Sequence, residues 1–334
     1  MRKLFSLPLV ILIAGLVAAG CGDNGGESAR VRVQLDWVPN TNHIGVYVAL
    51  AQGWYREAGL EVEVLPYSDA NADVVVANGN ADVGFSFPPN VIFSRAAGLD
   101  LVSIAAVLQR NVTELAVLAS SSISRPRDLD GKTYAGFGLP YEEPQIKTVI
   151  KADGGKGDFR AVTLTTAAYE ALYNGRADFT EIFTTWEGIQ AQLRGIPLRT
   201  FRYDQYGVPD FHGVVLVARR QSLQTQGEQL RKFLEITRRG YEFAASQPQQ
   251  AAQVLLDYLP KETFPEPEMV RRSADMLAKI FLAPDGRWGS QSAEKWSAYT
   301  NWIVGSGIVK DGRGNPVRGM DTADLFTNQL LEGR

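Results

Sequence analysis

The sequence predicts an α/β protein made of two similar α/β lobes joined by a two-strand hinge. Three observations lead to this fold class. Strand-like and helix-like segments alternate from Val31 onwards, a helix–turn–strand pattern occurs twice, and a late strand-like run returns before the chain becomes almost wholly helical. Helices and strands that alternate in this way predict parallel sheets covered on both faces.

The N-terminal segment has the composition of a lipoprotein signal. Two basic residues precede a nearly continuous apolar run over residues 4–17, and three small residues follow it before Cys21. An apolar run this short, with a small-residue processing site, is typical of a secretory signal over residues 1–20. Cys21 is the only cysteine, and we predict that it is lipidated and that residues 21–30 form a flexible tether. A plain secretion signal with an incidental cysteine is the alternative.

The composition argues against several classes of function. The 334 residues include 34 Lys and Arg and 37 Asp and Glu, which gives a formal charge of −3 and no basic stripe for nucleic acid. The two histidines, His43 and His212, do not form an H-x-x-x-H motif, and no C-x-x-C spacing exists, so no metal site is predicted. Phosphate-binding glycine motifs and G-x-S-x-G are also missing from the sequence. We therefore expect neither a cofactor nor catalysis.

The first lobe is predicted from alternating strands and helices. Strands are expected at VRVQLDW and LEVEVLPY, separated by a helix over residues 44–57 that Gly59 ends. A helix near residues 71–77, the strand ADVGFSF, the helix NVIFSRAAG and the strand LVSIAAVL follow. In open α/β sheets ligands bind beyond the carboxyl ends of the strands. The turn after VRVQLDW lies at such an end.

An internal repeat predicts that the two lobes are equivalent. VVVANGNADVGFS and YEALYNGRADFTEI both read as a helix, then Asn-Gly-x-Ala-Asp, then a strand. Glycine adopts the left-handed conformation at a helix end at little cost. Asn-Gly is a common helix stop, so coincidence is the alternative to true equivalence.

The second lobe is expected to open with the turn RDLDGK, followed by a strand over residues 133–137 and a helix from about Pro144. The strand GVVLVARRQSL then returns the chain to the first lobe. Apolar residues at helical spacing predict closing helices on the first lobe and around the hinge, over residues 230–243, 252–259 and 269–281. We assign residues 31–116 and 214–334 to lobe 1 and residues 117–213 to lobe 2.

Five sequence runs together resemble the NMT1/THI5-like family of binding proteins, over residues 31–256. They are LDWVPNTNHIGVYVALAQGWYREAGLEVEV, NGNADVGF, RDLDGKT, NGRADF and YGVPDF. The first run is specific, whereas the NG-x-AD and DL-x-G-K elements are general to such receptors. The resemblance implies a type II periplasmic-binding-protein fold with a ligand between the lobes. It also implies a membrane permease with a cytoplasmic ATPase, the subunits of an ABC importer, as partners. We expect the chain itself on the extracytoplasmic face of the cell membrane, which it contacts only through its lipid anchor.

The first turn suits a flat heteroaromatic ligand. Trp37, at the carboxyl end of a predicted strand, is placed to stack on a ring face. Asp36, Asn40, Asn42 and His43 can supply donors and acceptors to the polar rim of such a ring. The alternatives are that Trp37 belongs to the core or the hinge and that His43 only satisfies local backbone groups.

The second lobe offers further candidates for the binding site. FTTWEG follows the second repeat and places Trp186 and Glu187 towards the cleft, and the resemblance carries an acidic role to Glu187 and supplies Tyr206 from YGVPDF. A surface glutamate at a helix start is the alternative for Glu187. Loops after other strands add, by position alone, Tyr141, Glu142, Glu143, Phe87 and Asn90.

The candidate residues favour a vitamin-like heterocycle over an anion. They include several acids but no lysine or arginine, whereas a sulfonate or nitrate needs cationic or backbone-amide partners. Known members of the family bind the thiamine precursor formylaminopyrimidine, and a close branch is associated with riboflavin uptake. The many tyrosines and tryptophans and the loop GLPYEEP allow the larger ligand, so riboflavin is preferred and formylaminopyrimidine is the alternative.

Two other function classes are open. Fungal members of the family are thiamine-pyrimidine synthases, with a cysteine-rich segment near an iron-dependent active site. Here the corresponding run YGVPDFHGVV has no cysteine, and the export signal separates the chain from intracellular cofactors, so we expect no enzyme. A ligand-sensing adaptor for a membrane receptor would use the same closure of two lobes.

Overall fold

Two five-stranded sheets organise the fold of the computed structural model, which describes residues 29–67 and 70–332. The strands are β1 (Ala29–Gln34), β2 (Leu60–Val64), β3 (Val83–Ser86), β4 (Leu101–Ala106), β5 (Thr113–Leu118), β6 (Thr133–Gly136), β7 (Arg160–Thr163), β8 (Phe179–Phe183), β9 (Leu198–Arg202) and β10 (Val215–Arg219). The helices are α1 (Ile44–Ala51), α2 (Trp54–Glu57), α3 (Ala72–Ala77), α4 (Pro88–Ala96), α5 (Glu142–Ala152), α6 (Ala167–Tyr173), α7 (Glu187–Leu193), α8 (Ser222–Thr225), α9 (Gly227–Ser246), α10 (Pro248–Tyr258), α11 (Pro267–Leu277) and α12 (Ala293–Gly305).

The two sheets have the same topology. Their strand orders are β2-β1-β3-β10-β4 and β7-β6-β8-β5-β9, so each strand of one sheet has a counterpart in the other. The predicted two-lobe α/β fold is therefore confirmed. The prediction of wholly parallel sheets is wrong, because β10 and β5 each run antiparallel to both of their neighbours. Each of these two strands is the first after the chain crosses from the other lobe. The crossing reverses the direction of the strand relative to its neighbours.

The two Asn-Gly-x-Ala-Asp repeats occupy equivalent places in the two lobes. Their glycines end α3 and α6 with φ of +77° and +67°, the left-handed conformation that glycine tolerates. The Asp82 carboxylate accepts a hydrogen bond from the Arg32 amide of β1 at 2.8 Å. Likewise, the Asp178 carboxylate accepts one from the Thr133 amide of β6, also at 2.8 Å. Both aspartates thus tie the start of one strand to its parallel neighbour, so the repeat reflects true lobe equivalence.

The hinge consists of the two segments that connect the sheets, residues 107–112 and 203–214. They lie side by side, because Leu108 N donates to Val214 O at 3.1 Å and Gly213 N donates to Leu108 O at 3.1 Å. A side chain at Gly213 would not fit, since its Cβ would lie 2.7 Å from a carbonyl oxygen of the first connection. These paired connections form the predicted two-strand hinge.

Several element boundaries differ from the predictions. The helix expected over residues 44–57 is interrupted between α1 and α2, because Gly53 adopts φ +74°. β5 begins at Thr113 and pairs only within the second sheet, so the first crossing precedes the predicted lobe boundary at residue 117. Helix α12 was not predicted. It packs its aromatic residues between the first lobe and the hinge.

The N-terminal predictions lie mostly outside the described residues. Residues 1–28, including Cys21, are not described, so the signal peptide and the lipidation stay predictions. Ala29 and Arg30, which we had placed in the tether, belong instead to β1 and pair with β2. Among the described helices, none has the length and apolar content needed to cross a bilayer.

Helix α9 holds the segment that follows β1 in place. It crosses α1 so closely that a Cβ on Gly240 would lie 2.0 Å from the Gly45 carbonyl oxygen. The next residue, Tyr241, donates its hydroxyl to Asn42 O at 2.6 Å and stacks on Trp288 with ring centroids 4.7 Å apart. The buried contact between the two helices therefore fixes the backbone of the turn that carries most of the predicted first-lobe site.

We expect Gly240→Ala to destabilise the protein by about 2–4 kcal/mol, because the added methyl group forces α1 and α9 apart in a packed core. Gly227→Ala is the matched control, since it changes the same helix at a place where a Cβ meets nothing within 4 Å. This control should be neutral or stabilising by up to about 1 kcal/mol. Urea unfolding of the three proteins measures both values. Equal stabilities for the two variants would contradict the close helix crossing.

Candidate functional site

A cavity of about 300 Å³ lies between the two sheets, at the level of the hinge. Both lobes and the hinge contribute to its lining. The carboxyl ends of β1 and β3 supply the first-lobe residues, and the corresponding ends of β6 and β8 supply most of the second-lobe residues. This is the edge at which α/β sheets bind ligands, and its size lies at the lower end of the range for small-molecule sites.

Most of the predicted site residues line this cavity. They are Asp36, Trp37, Asn40, Asn42, Phe87, Asn90, Tyr141, Trp186 and Glu187. The structure places the remaining candidates elsewhere, and these are His43, Glu142, Glu143 and Tyr206.

His43 lies behind the cavity and orients an acid that lines it. The imidazole is fully buried, and its Nδ1 accepts a hydrogen bond from Asn40 N at 3.1 Å. Nε2 must then carry the ring proton, and it donates to the Asp36 carboxylate at 2.7 Å. Asn40 completes the turn by accepting from Asn42 N at 2.8 Å. Both ring nitrogens are used inside the turn, and a direct contact of His43 with ligand stays a prediction.

Glu142 also acts behind the lining. Its buried carboxylate accepts hydrogen bonds from Phe137 N at 2.9 Å and Gly138 N at 3.0 Å, and thereby fixes the loop that presents Phe137 to the cavity. Burial raises the pKa of Glu142, and these amide donors limit that rise. Glu142 is not in the lining of the cavity, and its contact with ligand stays a prediction. Glu143 is exposed and pairs with Lys147 at 2.8 Å, outside the cavity.

Tyr206 lies in the second hinge segment and does not line the cavity. It ends the short 3-10 helix Tyr203–Tyr206, and Gly207 follows with φ +85°. The half-buried side chain of Tyr206 packs against a hydrophobic cluster and is not in the lining of the cavity, so its contact with ligand stays a prediction. The buried Tyr203 of the same turn is the residue whose hydroxyl reaches the lining, where it donates to Glu181 at 2.5 Å.

Aromatic rings meet across the cleft at the cavity. The partly exposed Trp37 of the first lobe meets Phe137 of the second edge to face, with centroids 6.2 Å apart. Phe87 and Phe183 make a second contact between the lobes at 5.9 Å. Trp37 is therefore a wall of the cavity and not a core or hinge residue. Edge-on contacts leave aromatic faces free to stack on a flat ligand.

The charged side chains that line the cavity are all acidic. Asp36, Glu181 and Glu187 line it, and among the described lining residues there is no lysine, arginine or histidine. Burial raises the pKa of both Glu181 and Glu187 to about 7. The neighbouring carboxylates of Glu142 and Glu187 add to the rise at Glu181, whereas the Phe183 amide, which donates to Glu187 at 3.1 Å, opposes the rise there. An anionic ligand would find only repulsion from these side chains.

Several lining residues were not predicted, among them Asn111, Phe137, Tyr169, Glu181 and Phe211. Glu181 had a detectable signal, since it is an acid inside the otherwise apolar strand FTEIF. Asn111 and Phe211 come from the two hinge segments, which the sequence patterns did not mark as part of a site. Within the described ranges, no cluster of His, Cys, Asp and Glu is arranged to hold a metal ion.

Comparisons with known proteins agree with this geometry. A family model described as NMT1/THI5 like matches residues 40–251. The formylaminopyrimidine-binding protein of Halalkalibacterium halodurans is 30% identical over 307 residues, which are 90% of this chain and 92% of that protein. A 4-amino-5-hydroxymethyl-2-methylpyrimidine phosphate synthase of Legionella pneumophila is 23% identical and covers 91% of this chain and 92% of its own.

Solved structures share the fold at lower sequence identity. The periplasmic aliphatic sulphonate binding protein SsuA of Escherichia coli has a TM-score of 0.64 and 19% identity, with 91% of this chain and 94% of that chain covered. The type II periplasmic-binding-protein fold expected from the sequence is thereby confirmed. At this identity the likeness shows the fold alone.

We expect Glu187→Gln to stabilise the ligand-free protein at high pH. The folded-state pKa of about 7 lies above the ordinary value of 4.5, so the folded state retains a proton that the unfolded state releases. The stability that the neutral Glu187 contributes is therefore present below pH 4.5 and is lost as the pH rises through 7. Glutamine removes this loss and should raise stability at pH 8 by on the order of 2 kcal/mol, with little effect at pH 5.

Thermal unfolding at pH 5 and pH 8 measures this effect, with Glu143→Gln as the control on an exposed glutamate. The control should change stability by less than about 0.5 kcal/mol at either pH. An equal effect of Glu187→Gln at both pH values would show that Glu187 does not titrate as stated.

Proposed function

The chain belongs to the NMT1/THI5-like family, and on that premise we propose that it is the substrate-binding protein of an ABC importer. The observation that carries the proposal is an acidic, aromatic cavity between two hinged lobes, in a chain 30% identical to a formylaminopyrimidine-binding protein over 90% of its length. The predicted lipoprotein signal supports a place on the extracytoplasmic face of the cell membrane, with Cys21 as the anchor. A permease and an ATPase are the implied partners.

The ligand that we propose is formylaminopyrimidine or a close relative. The earlier preference for riboflavin, which was based on the number of aromatic residues, receives no support from the comparisons. Among the relatives that match along nearly the full chain, the one with 30% identity is named for formylaminopyrimidine, whereas the synthases are 23–24% identical. A cavity of about 300 Å³ also suits one substituted ring better than three fused rings with a polyol chain.

The chemistry of the cavity fits an aminopyrimidine. Trp37 and Trp186 come from different lobes and offer aromatic surface to the ring. Glu187 and Asp36 can accept hydrogen bonds from the exocyclic amino group and the formamide N–H. Asn42 can donate to or accept from the remaining rim. A bound sulfonate would instead bring a negative charge beside the acidic side chains.

Capture proceeds by closure of the lobes. The ligand stabilises the closed form only through contacts that the open form lacks. Because the lining comes from both sheets and the hinge, a ligand in the cavity makes such contacts. The closed lobes then present one surface to the permease, and release of the ligand follows when the lobes reopen.

A function as a pyrimidine phosphate synthase is less well supported. Relatives named as pyrimidine phosphate synthases are 22–24% identical, below the 30% of the binding protein. The only cysteine of this chain is Cys21, so the run YGVPDFHGVV supplies no thiolate. Product formed by the purified protein with iron and pyridoxal phosphate would favour the synthase. Co-purification with a kinase, and not with a permease, would favour a sensory adaptor.

We expect the purified protein to bind formylaminopyrimidine at micromolar concentration or tighter, and Trp37→Ala to weaken this binding at least tenfold. The loss of one good stacking contact and its buried area costs about 1.4 kcal/mol or more. Isothermal titration calorimetry measures both affinities, and riboflavin is titrated in parallel.

Trp54→Ala is the matched control, because Trp54 lies on α2 against Phe243 and Arg239, away from the cavity. The affinity of this variant for formylaminopyrimidine should stay within twofold of that of the unchanged protein. Tighter binding of riboflavin, or no difference between the two tryptophan variants, would contradict the proposed ligand or its proposed site.

A further inference from the structure

Glu181 differs from the other carboxylates of the cavity in its hydrogen-bond donor, which is a side-chain hydroxyl and neither an imidazole nor a backbone amide. It lies near the carboxyl end of β8, and its side chain lines the cavity. Tyr203 donates its hydroxyl to Glu181 Oε2 at 2.5 Å. This partner is a neutral hydroxyl, and it lies at the start of the second hinge segment.

The surroundings of Glu181 are acidic or neutral on every side. The titratable groups that face it are Glu142 on α5, Glu187 on α7, Tyr134 on β6, Tyr141 before α5, Tyr169 on α6, Tyr203 at the start of the second hinge segment and Tyr299 on α12. None of these groups carries a positive charge at neutral pH. Asp36 adds a third carboxylate to the same cavity. When the lobes exclude water, the cavity can lower its charge only by taking up a proton.

We propose that Glu181 contacts the ligand as a neutral carboxylic acid, so that binding takes up one proton. A carboxylic acid offers an O–H donor and a carbonyl acceptor side by side. An aminopyrimidine offers the complementary pair, a ring nitrogen acceptor beside an amino donor. The ionised carboxylate can only accept, and it would leave the ring nitrogen without a donor in a dry cavity.

Glu181 is better suited to this role than Glu187. The Glu187 carboxylate accepts a hydrogen bond from Phe183 N, a fixed donor that favours its ionised form. The hydroxyl of Tyr203 can rotate, so it can donate to a carboxylate or accept from an acid. Glu181 can therefore change its protonation state without leaving a partner unsatisfied. It is also the residue that the carboxylates of Glu142 and Glu187 repel.

This inference rests on the proposed function, since it assumes formylaminopyrimidine as the ligand. The experiment is calorimetric titration of the full-length protein with formylaminopyrimidine at pH 8, in phosphate and in Tris, which differ in ionisation enthalpy. The difference in observed heat counts the protons taken up. We expect roughly one proton, and an affinity that is nearly constant below about pH 6.5 and falls about tenfold per pH unit above about pH 8.

Three variants identify the residue that takes up the proton. Glu181→Gln keeps an N–H donor and a carbonyl acceptor in the same shape, so it should bind within about threefold of the unchanged protein at pH 6. It should lose both the proton uptake and the pH dependence. Glu187→Gln should retain the uptake, and Glu143→Gln, at an exposed position outside the cavity, should match the unchanged protein in every measurement.

Three outcomes would overturn the inference. They are binding by the unchanged protein without proton uptake, proton uptake that persists in Glu181→Gln, and loss of binding by Glu181→Gln at both pH 6 and pH 8. The first is measured on the unchanged protein and does not depend on whether any variant folds. Failure of the unchanged protein to bind formylaminopyrimidine at any pH would instead refute the proposed function, and this inference with it.

Discussion

The structure depends on one electrostatic constraint, the placement of several carboxylates in a cavity that contains no cationic side chain among its described lining. Such an arrangement costs free energy unless neutral donors satisfy the acids. His43 does this for Asp36, and backbone amides do it for Glu187. These acids line the cavity, so under the proposed function the ligand brings N–H donors to them. The same carboxylates would repel an anion in the proposed site.

The two lobes share the task of building this cavity. The equivalent aspartates of the two repeats fix the starts of β3 and β8, and the carboxyl ends of these strands carry part of the lining. The paired hinge segments connect the two sheets. In the first lobe, the contact between Gly45 and Gly240 brings α9 close enough for Tyr241 to bind the site turn. The packing of the lobe core is thus linked to the backbone of the binding residues.

The sequence predicted features that depend on local pattern and missed those that depend on distant contacts. The repeats, the two-lobe fold and the position of Trp37 at a strand end followed from short-range patterns, and the structure agrees with each. His43 and Glu142 were placed at the correct turns, but which side chain faces the ligand depends on hydrogen bonds that no spacing reveals. Asn111 and Phe211 reach the cavity only because two distant segments form the hinge. Gly53 interrupts a helix whose apolar pattern continues through it.

The most direct test of the central claim is a crystal structure of the protein with formylaminopyrimidine. The account predicts the pyrimidine ring between the lobes, with Trp37 of the first lobe against one face and its amino group within hydrogen-bond distance of a carboxylate from the second lobe. A ligand bound to one lobe only, or an anion in the cavity held by backbone amides while the carboxylates point away, would contradict it.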